Sequence, residues 1–176
     1  LPDGGFVVTW SSWGQDAAGL NRNSSGIYGQ RFDSNNDKVG PEFLINTYVD
    51  DAQYISSVSA LSDGGFIVTW SSFGQDGSGY GIYGQRFGSD GLASGDEFHI
   101  STATANSQNY SSVEGLTGGG FVVTWVDSSP DGSNLDIYSQ RYGADGIAVG
   151  GNFLVNTTTL DAQIKPTVAA LSDGGF

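Results

Sequence analysis

Three aspartates, Asp16, Asp76 and Asp131, close matching segments at three places in a chain of 176 residues. The segments read Trp10-Ser-Ser-Trp-Gly-Gln-Asp16, Trp70-Ser-Ser-Phe-Gly-Gln-Asp76 and Trp125-Val-Asp-Ser-Ser-Pro-Asp131. An aromatic face beside amide and carboxylate groups suits a sugar ring, whose C–H face is apolar and whose hydroxyls need hydrogen-bond partners. On that reasoning Trp13, Gln15, Asp16, Phe73, Gln75 and Asp76 are the candidate ligand-binding residues. The third copy lacks the second aromatic and offers carboxylates instead. Asp127, Asp131 and Asp136 are the candidate calcium ligands, for an ion that takes roughly six to eight oxygens. The plainer reading of the recurring Asp is that it caps its own turn by accepting backbone N–H groups. Trp10, Trp70 and Trp125 read as packing residues, whereas Trp13 and Phe73 fall past the expected strand end and should be exposed.

Other recurring polar residues point to structure. Arg31, Arg86 and Arg141 occupy one position per copy, roughly 16 Å along a strand from the recurring Asp. Backbone carbonyls or a neighbouring repeat are therefore their expected partners. Gln53, Gln108 and Gln163 precede another strand and could tie one repeat to the next through their amides. His99 is the sole histidine, and leucine stands there in the other copies (Leu44, Leu154), which makes it a poor general base. Glu42 and Glu97 share a position that Asn152 takes in the third copy, so no carboxylate pair for glycoside hydrolysis recurs. No catalytic set is expected.

These residues ride on a repeat. Leu61-Ser-Asp-Gly-Gly-Phe-Ile-Val-Thr-Trp70 is written also at 1–10 and 116–125 and is begun again at 171–176, giving periods of 60, 55 and 55 residues. The expected repeats are 1–60, 61–115 and 116–170, with 171–176 opening a fourth. In the first, strands are expected at 6–10, 27–32, 42–47 and 55–60, because each stretch is β-branched or aromatic and alternates in polarity. Their counterparts lie at 66–70, 82–87, 97–102 and 110–115, then at 121–125, 137–142, 152–157 and 166–170. Asp63-Gly-Gly65 and Ser89-Asp-Gly91 mark tight hairpins.

An all-β chain of tandem four-stranded antiparallel meanders follows, with no helical period anywhere. Four strands in about 55 residues is the size of a β-propeller blade. The expected blades join 55–60 to the three strands after it, and 110–115 likewise. Residues 6–47 form three outer strands without an inner one, and 165–171 form an inner strand of a further blade. About three blades are too few to close a ring, so a longer polypeptide or self-assembly is expected to supply the neighbouring repeats. The net charge of −13 argues against nucleic acid, and no apolar run is long enough for a helical membrane span.

The wording Asp-Gly-Gly-Phe-Val-Val-Thr-Trp, with Gly-Gln-Asp-Gly-Ser-Gly-Tyr-Gly-Ile-Tyr-Gly-Gln-Arg-Phe and Phe-Leu-Val-Asn-Thr, resembles tandem repeats of large secreted bacterial surface proteins that often accompany repeat-in-toxin calcium-binding segments. The resemblance implies a secreted or cell-surface location and an adhesive or ligand-binding role, with a glycan or protein on a cell or matrix surface as partner. The glycine-rich calcium-binding nonapeptide of such proteins is absent here. The leading expectation is a non-catalytic scaffold and interaction module; the alternative is a multivalent lectin that uses the loops between first and second strands.

Overall fold

The computed structural model of the chain describes residues 1–15, 24–128 and 135–176. Among them are eleven strands and no helix, hence none that could cross a membrane. The first sheet holds β1 (Phe6–Trp13), β2 (Ser25–Phe32) and β3 (Lys38–Leu44). The second runs β4 (Gln53–Ala60), β5 (Phe66–Phe73), β6 (Tyr80–Phe87) and β7 (Phe98–His99), and the third β8 (Gln108–Gly115), β9 (Phe121–Ser128), β10 (Leu135–Tyr142) and β11 (Ala148–Leu154). All neighbours in each sheet are antiparallel. The chain is thus a fragment of a β-propeller, with the blades offset from the sequence repeat as expected.

Turn chemistry sets that offset. Between β4 and β5, Gly64 takes φ +89° and bonds Leu61 O at 3.1 Å, while Asp63 Oδ1 accepts the Gly65 N–H at 2.9 Å. A glycine reaches this φ without steric cost, so the Gly-Gly pair fixes a hairpin joining the last strand of one repeat to the first of the next.

Several boundaries depart from expectation. The first strands run on to Trp13 and Phe73. The outer strands come earlier than 42–47 and 152–157, at Lys38–Leu44 and Ala148–Leu154, and only Phe98–His99 remains of 97–102. A register shift beside Gln30 and Gln140 explains the outer edge: their amides bridge Arg31 O to Gly40 O and Arg141 O to Gly150 O. Residues 165–170 pair with no strand; β4 and β8 are each held by the strand that follows their Gly-Gly turn.

Strand alternation then decides packing. Phe66, Val68 and Trp70, with Tyr83 and Phe87, face the first sheet and bury Ile27 and Ile45. Ile67, Ile82 and Ile100 face the third sheet and meet Phe121, Val123, Trp125 and Tyr142. The core is therefore two layers between blades. At the flanks the equivalent residues lie open: Phe6 is 40% exposed where Phe66 is 1%, and Val155 is 49% exposed where Ile100 is 1%.

Polar cramps cross the same interfaces. Arg31 donates to Asp90 O at 2.6 Å and Ser89 O at 2.7 Å in the next blade, and Arg86 to Ala144 O of the next blade and Asp63 Oδ2 of its own, each at 3.1 Å. Gln53 and Gln108 donate to Asp50 O and Ala105 O and so brace the crossings into β4 and β8. Thr9 and Thr69 meet Ser56 and Ser111 of the following inner strand at 3.0 Å. Thr124 would meet residue 166 in the same way, but Pro166 has no hydroxyl and the Thr124 Oγ1 is buried without a partner.

Candidate functional site

The β5–β6 loop and the crossing from β7 to β8 leave the sheets at one end, because β5 ends at Phe73 where β6 begins at Tyr80, and β7 ends 19 residues after that start. The described candidate residues Trp13, Gln15, Phe73, Gln75, Asp76, Asp127 and Asp136 belong to the matching ends of their blades. Asp16 and Asp131 lie outside the described residues; the others are placed.

Trp13 is 68% exposed and Phe73 40%, although both stand in strands. Phe73 meets Tyr80 edge-on, with centroids 4.9 Å apart, and Tyr80 meets Tyr54 at the same spacing. The Tyr54 hydroxyl donates to Asn109 Oδ1 at 3.2 Å on the next inner strand, and burial pushes its pKa up. The result is an aromatic run across the loop end of one blade, joined through Asn109 to the inner strand of the next. Sequence reasoning found Phe73 but missed Tyr54, Tyr80 and Asn109. The available signal was their departure from the repeat: Tyr80 matches Ser25 and Leu135, and Tyr54 matches Asn109 and Ile164.

The two glutamines serve the fold. Gln15 Nε2 donates to Glu42 Oε1 at 2.5 Å, and Gln75 Nε2 to Glu97 Oε1 at 2.6 Å. Glu97 also accepts from the Thr47 N–H at 2.6 Å and its hydroxyl at 3.0 Å, tying the loop to the preceding crossing. A sugar would have to compete with these charge-assisted bonds.

Asp76 both caps its turn and closes a small buried cluster. Its Oδ1 accepts the Ser78 N–H at 3.0 Å, and its buried Oδ2 lies 3.8 Å from His99 Nε2. Gly81 permits this approach, since a Cβ there would meet the Asp76 carboxylate, the imidazole and the Tyr83 ring at 3.0–3.2 Å. His99 stacks on Tyr83 with centroids 4.7 Å apart, and its Nε2 also meets Ser101 Oγ at 2.9 Å. Burial lowers the His99 pKa, opposed by the Asp76 charge. Both polar partners use the same ring nitrogen, so these residues do not form a nucleophile–base–carboxylate relay, which needs both nitrogens.

Asp127 and Asp136 sit opposite each other across β9 and β10, and both are buried. Gln108 Nε2 donates to Asp127 Oδ1 at 3.3 Å and Asn156 Nδ2 to Asp136 Oδ1 at 2.7 Å. A carboxylate pair does arise, then, from two strands of one hairpin where the second repeat has Ser72 and Gly81. Among the described residues no three acidic or histidine side chains converge as a metal-binding group. Burial raises the Asp127 pKa, with the Asp136 charge adding to it. A raised folded-state pKa means the native state holds its proton more tightly, so stability falls as pH rises from the unfolded carboxyl pKa through the folded one. Asp127→Asn is therefore expected to raise the melting temperature at pH 7 and to leave it unchanged near pH 3; each kcal/mol recovered is worth roughly 2–4 °C in a chain of this size. Calorimetric melts at the two pH values check this, and an Asn variant that melts lower at pH 7 would refute it.

No family model matches the chain, and no curated protein matches it. Solved structures resemble it, among them an α-L-arabinanase of Penicillium chrysogenum complexed with arabinobiose, at TM-score 0.57 and 14% identity, and an endo-arabinase of Bacteroides thetaiotaomicron, at TM-score 0.50 and 16% identity. They cover 98% and 77% of this chain, which spans 48% and 55% of theirs, about half the length of each. Arabinanases are five-bladed β-propellers, in keeping with a propeller fragment here. The comparison also corrects the leading functional expectation. The propellers that this chain resembles are carbohydrate-active enzymes, so a non-catalytic scaffold is not the reading that its fold supports.

Proposed function

We propose that the chain is part of a carbohydrate-recognising β-propeller of a secreted bacterial surface protein, meeting its glycan at the loop end of the blades. The observation that carries the reading is the aromatic run Phe73–Tyr80–Tyr54, partly exposed and bordered by Asn109, with Trp13 exposed at the matching place of the preceding blade. Aromatic faces beside amides bind sugars through C–H contacts and directed hydrogen bonds. The arabinanase likeness favours the same chemistry, and the wording of the repeats supports the extracellular location. Further repeats, or copies of this chain, cover the open flanks carrying Phe6, Val8 and Val155. Calcium is the competing occupant of the Asp127–Asp136 pair, and it would raise the melting temperature of the native chain but not of Asp127→Asn.

A glycan array followed by titration calorimetry with arabinobiose tests the reading, with released monosaccharide measured in the same samples to detect hydrolysis. Loss of one stacking face is expected to weaken binding about tenfold in Trp13→Ala and in Phe73→Ala. No glycan bound at millimolar protein would overturn it.

A further inference from the structure

Each inner strand carries one backbone anomaly that the repeat keeps and one side chain that it does not. β4 and β8 are the strands where successive blades converge: the Val113 and Gly115 N–H groups of β8 donate to Ser57 and Ser59 of β4 at 3.2 and 2.9 Å. Both strands bulge at the loop end, between Tyr54 and Ser57 and between Asn109 and Ser112. At the bulge Ile55 has φ +56° and Tyr110 φ +58°, and Lys165 takes φ +57° in the equivalent unpaired segment. This left-handed region is disfavoured for any side chain and most of all for a β-branched one.

Elsewhere the chain puts glycine at such places, including Gly64, Gly91, Gly120 and Gly146, or the short Asn and Asp side chains that tolerate them, at Asn36, Asp51, Asn106 and Asp161. Here it keeps a side chain and changes it from copy to copy, Ile, Tyr and Lys, while Gln53, Gln108 and Gln163 two residues earlier and Val58, Val113 and Val168 three residues later stay constant. Bulges re-aim side chains beside binding sites, and strain retained without glycine marks a position held for what its side chain meets. Tyr110 is 44% exposed and adjoins Asn109, which joins Tyr54 and the aromatic run.

We infer that Tyr110 and Asn109 form a saccharide subsite at the loop end of the inner strands, and that positions 55, 110 and 165 set which sugar unit each repeat admits. The sugar stacks on the Tyr110 ring and bonds the Asn109 amide through its hydroxyls. It is a neutral sugar, since a chain of net charge −13 repels uronates and sulfated glycans. The inference rests on the carbohydrate reading above and extends it from the loops to the inner strands.

Titration calorimetry of the whole chain with arabinobiose, or with the neutral glycan scoring highest on the array, provides the test. Tyr110→Asn suits the left-handed backbone, so its melting temperature should hold or rise while binding weakens about tenfold. Tyr110→Phe keeps the ring and should bind within about threefold of the parent. Tyr110→Gly, which carries no φ penalty, repeats the measurement should the Asn variant not fold. Unchanged affinity in Tyr110→Asn or Tyr110→Gly would overturn the subsite, while Phe73→Ala still weakening binding would leave the carbohydrate reading intact. A parent chain that binds only uronate-containing or sulfated glycans would overturn the neutral-sugar assignment, and one that binds none would overturn both.

Discussion

Replacing Trp70 with alanine is expected to destabilise the chain by about 3–5 kcal/mol, the range for truncating a large buried aromatic. The side chain is 0% exposed and packs with Ile27, Ile45, Phe66, Val68, Tyr83 and Phe87 in the layer between the first two sheets. Removing it leaves a cavity that two hydrogen-bonded sheets cannot close without breaking ladder bonds, so little of the loss is recovered by collapse. Trp10 occupies the same position one repeat earlier but faces an open flank and is only partly buried. Trp10→Ala should therefore cost clearly less, and Trp13→Ala, at 68% exposure, should stay within about 0.5 kcal/mol. Urea melts of the three variants give the ranking. Equal losses in Trp10→Ala and Trp70→Ala would show that the blades do not stack as described.

Gly120→Ala is the second large effect, about 2–5 kcal/mol from a left-handed backbone and an overpacked contact together. Gly120 has φ +79°, and a Cβ there would fall well inside contact distance of the Tyr142 carbonyl oxygen. The clash is with backbone of a paired strand, which cannot rotate away as a side chain would. Gly150 provides the control, with φ +71° and nothing within 4 Å of its Cβ position. Gly150→Ala should cost only the conformational part, roughly 1–2 kcal/mol. Should the two variants melt at the same denaturant concentration, the close approach at the Gly-Gly hairpin is not what holds the repeat boundary.

The first prediction concerns a surface between blades, and that is where this fold keeps its stability. A single four-stranded meander has two apolar faces and nothing of its own to cover them. The difference between Phe66 at 1% exposure and Phe6 at 40% comes from a neighbour, since the two share one sequence context. Arg31 and Arg86 follow the same logic: Arg31 is held by Ser89 O and Asp90 O and Arg86 by Ala144 O, each in the hairpin of the next blade.

Much of this was legible in the sequence because a repeat writes its architecture several times over. The strand types, the Gly-Gly hairpins, the offset of blades from repeats and the partners of Arg31 and Arg86 all follow from period, alternation and turn residues, which act over a few neighbouring positions. The site was less legible. The sequence marks Trp13 and Phe73 as exposed aromatics and Asp76 as a turn cap, since each of these depends on its own strand end or loop. It could not show that Gln15 and Gln75 are engaged by Glu42 and Glu97, that Asp76 meets His99 across the width of Gly81, or that Tyr54 and Tyr80 complete a run begun by Phe73. The pairing of Asp127 with Asp136 was hidden in the same way, because they stand nine positions apart along the chain and directly opposite each other across the hairpin. Periodicity specifies which face of a strand is apolar; register and blade stacking decide which residues from different strands share a place, and that depends on contacts no local pattern encodes.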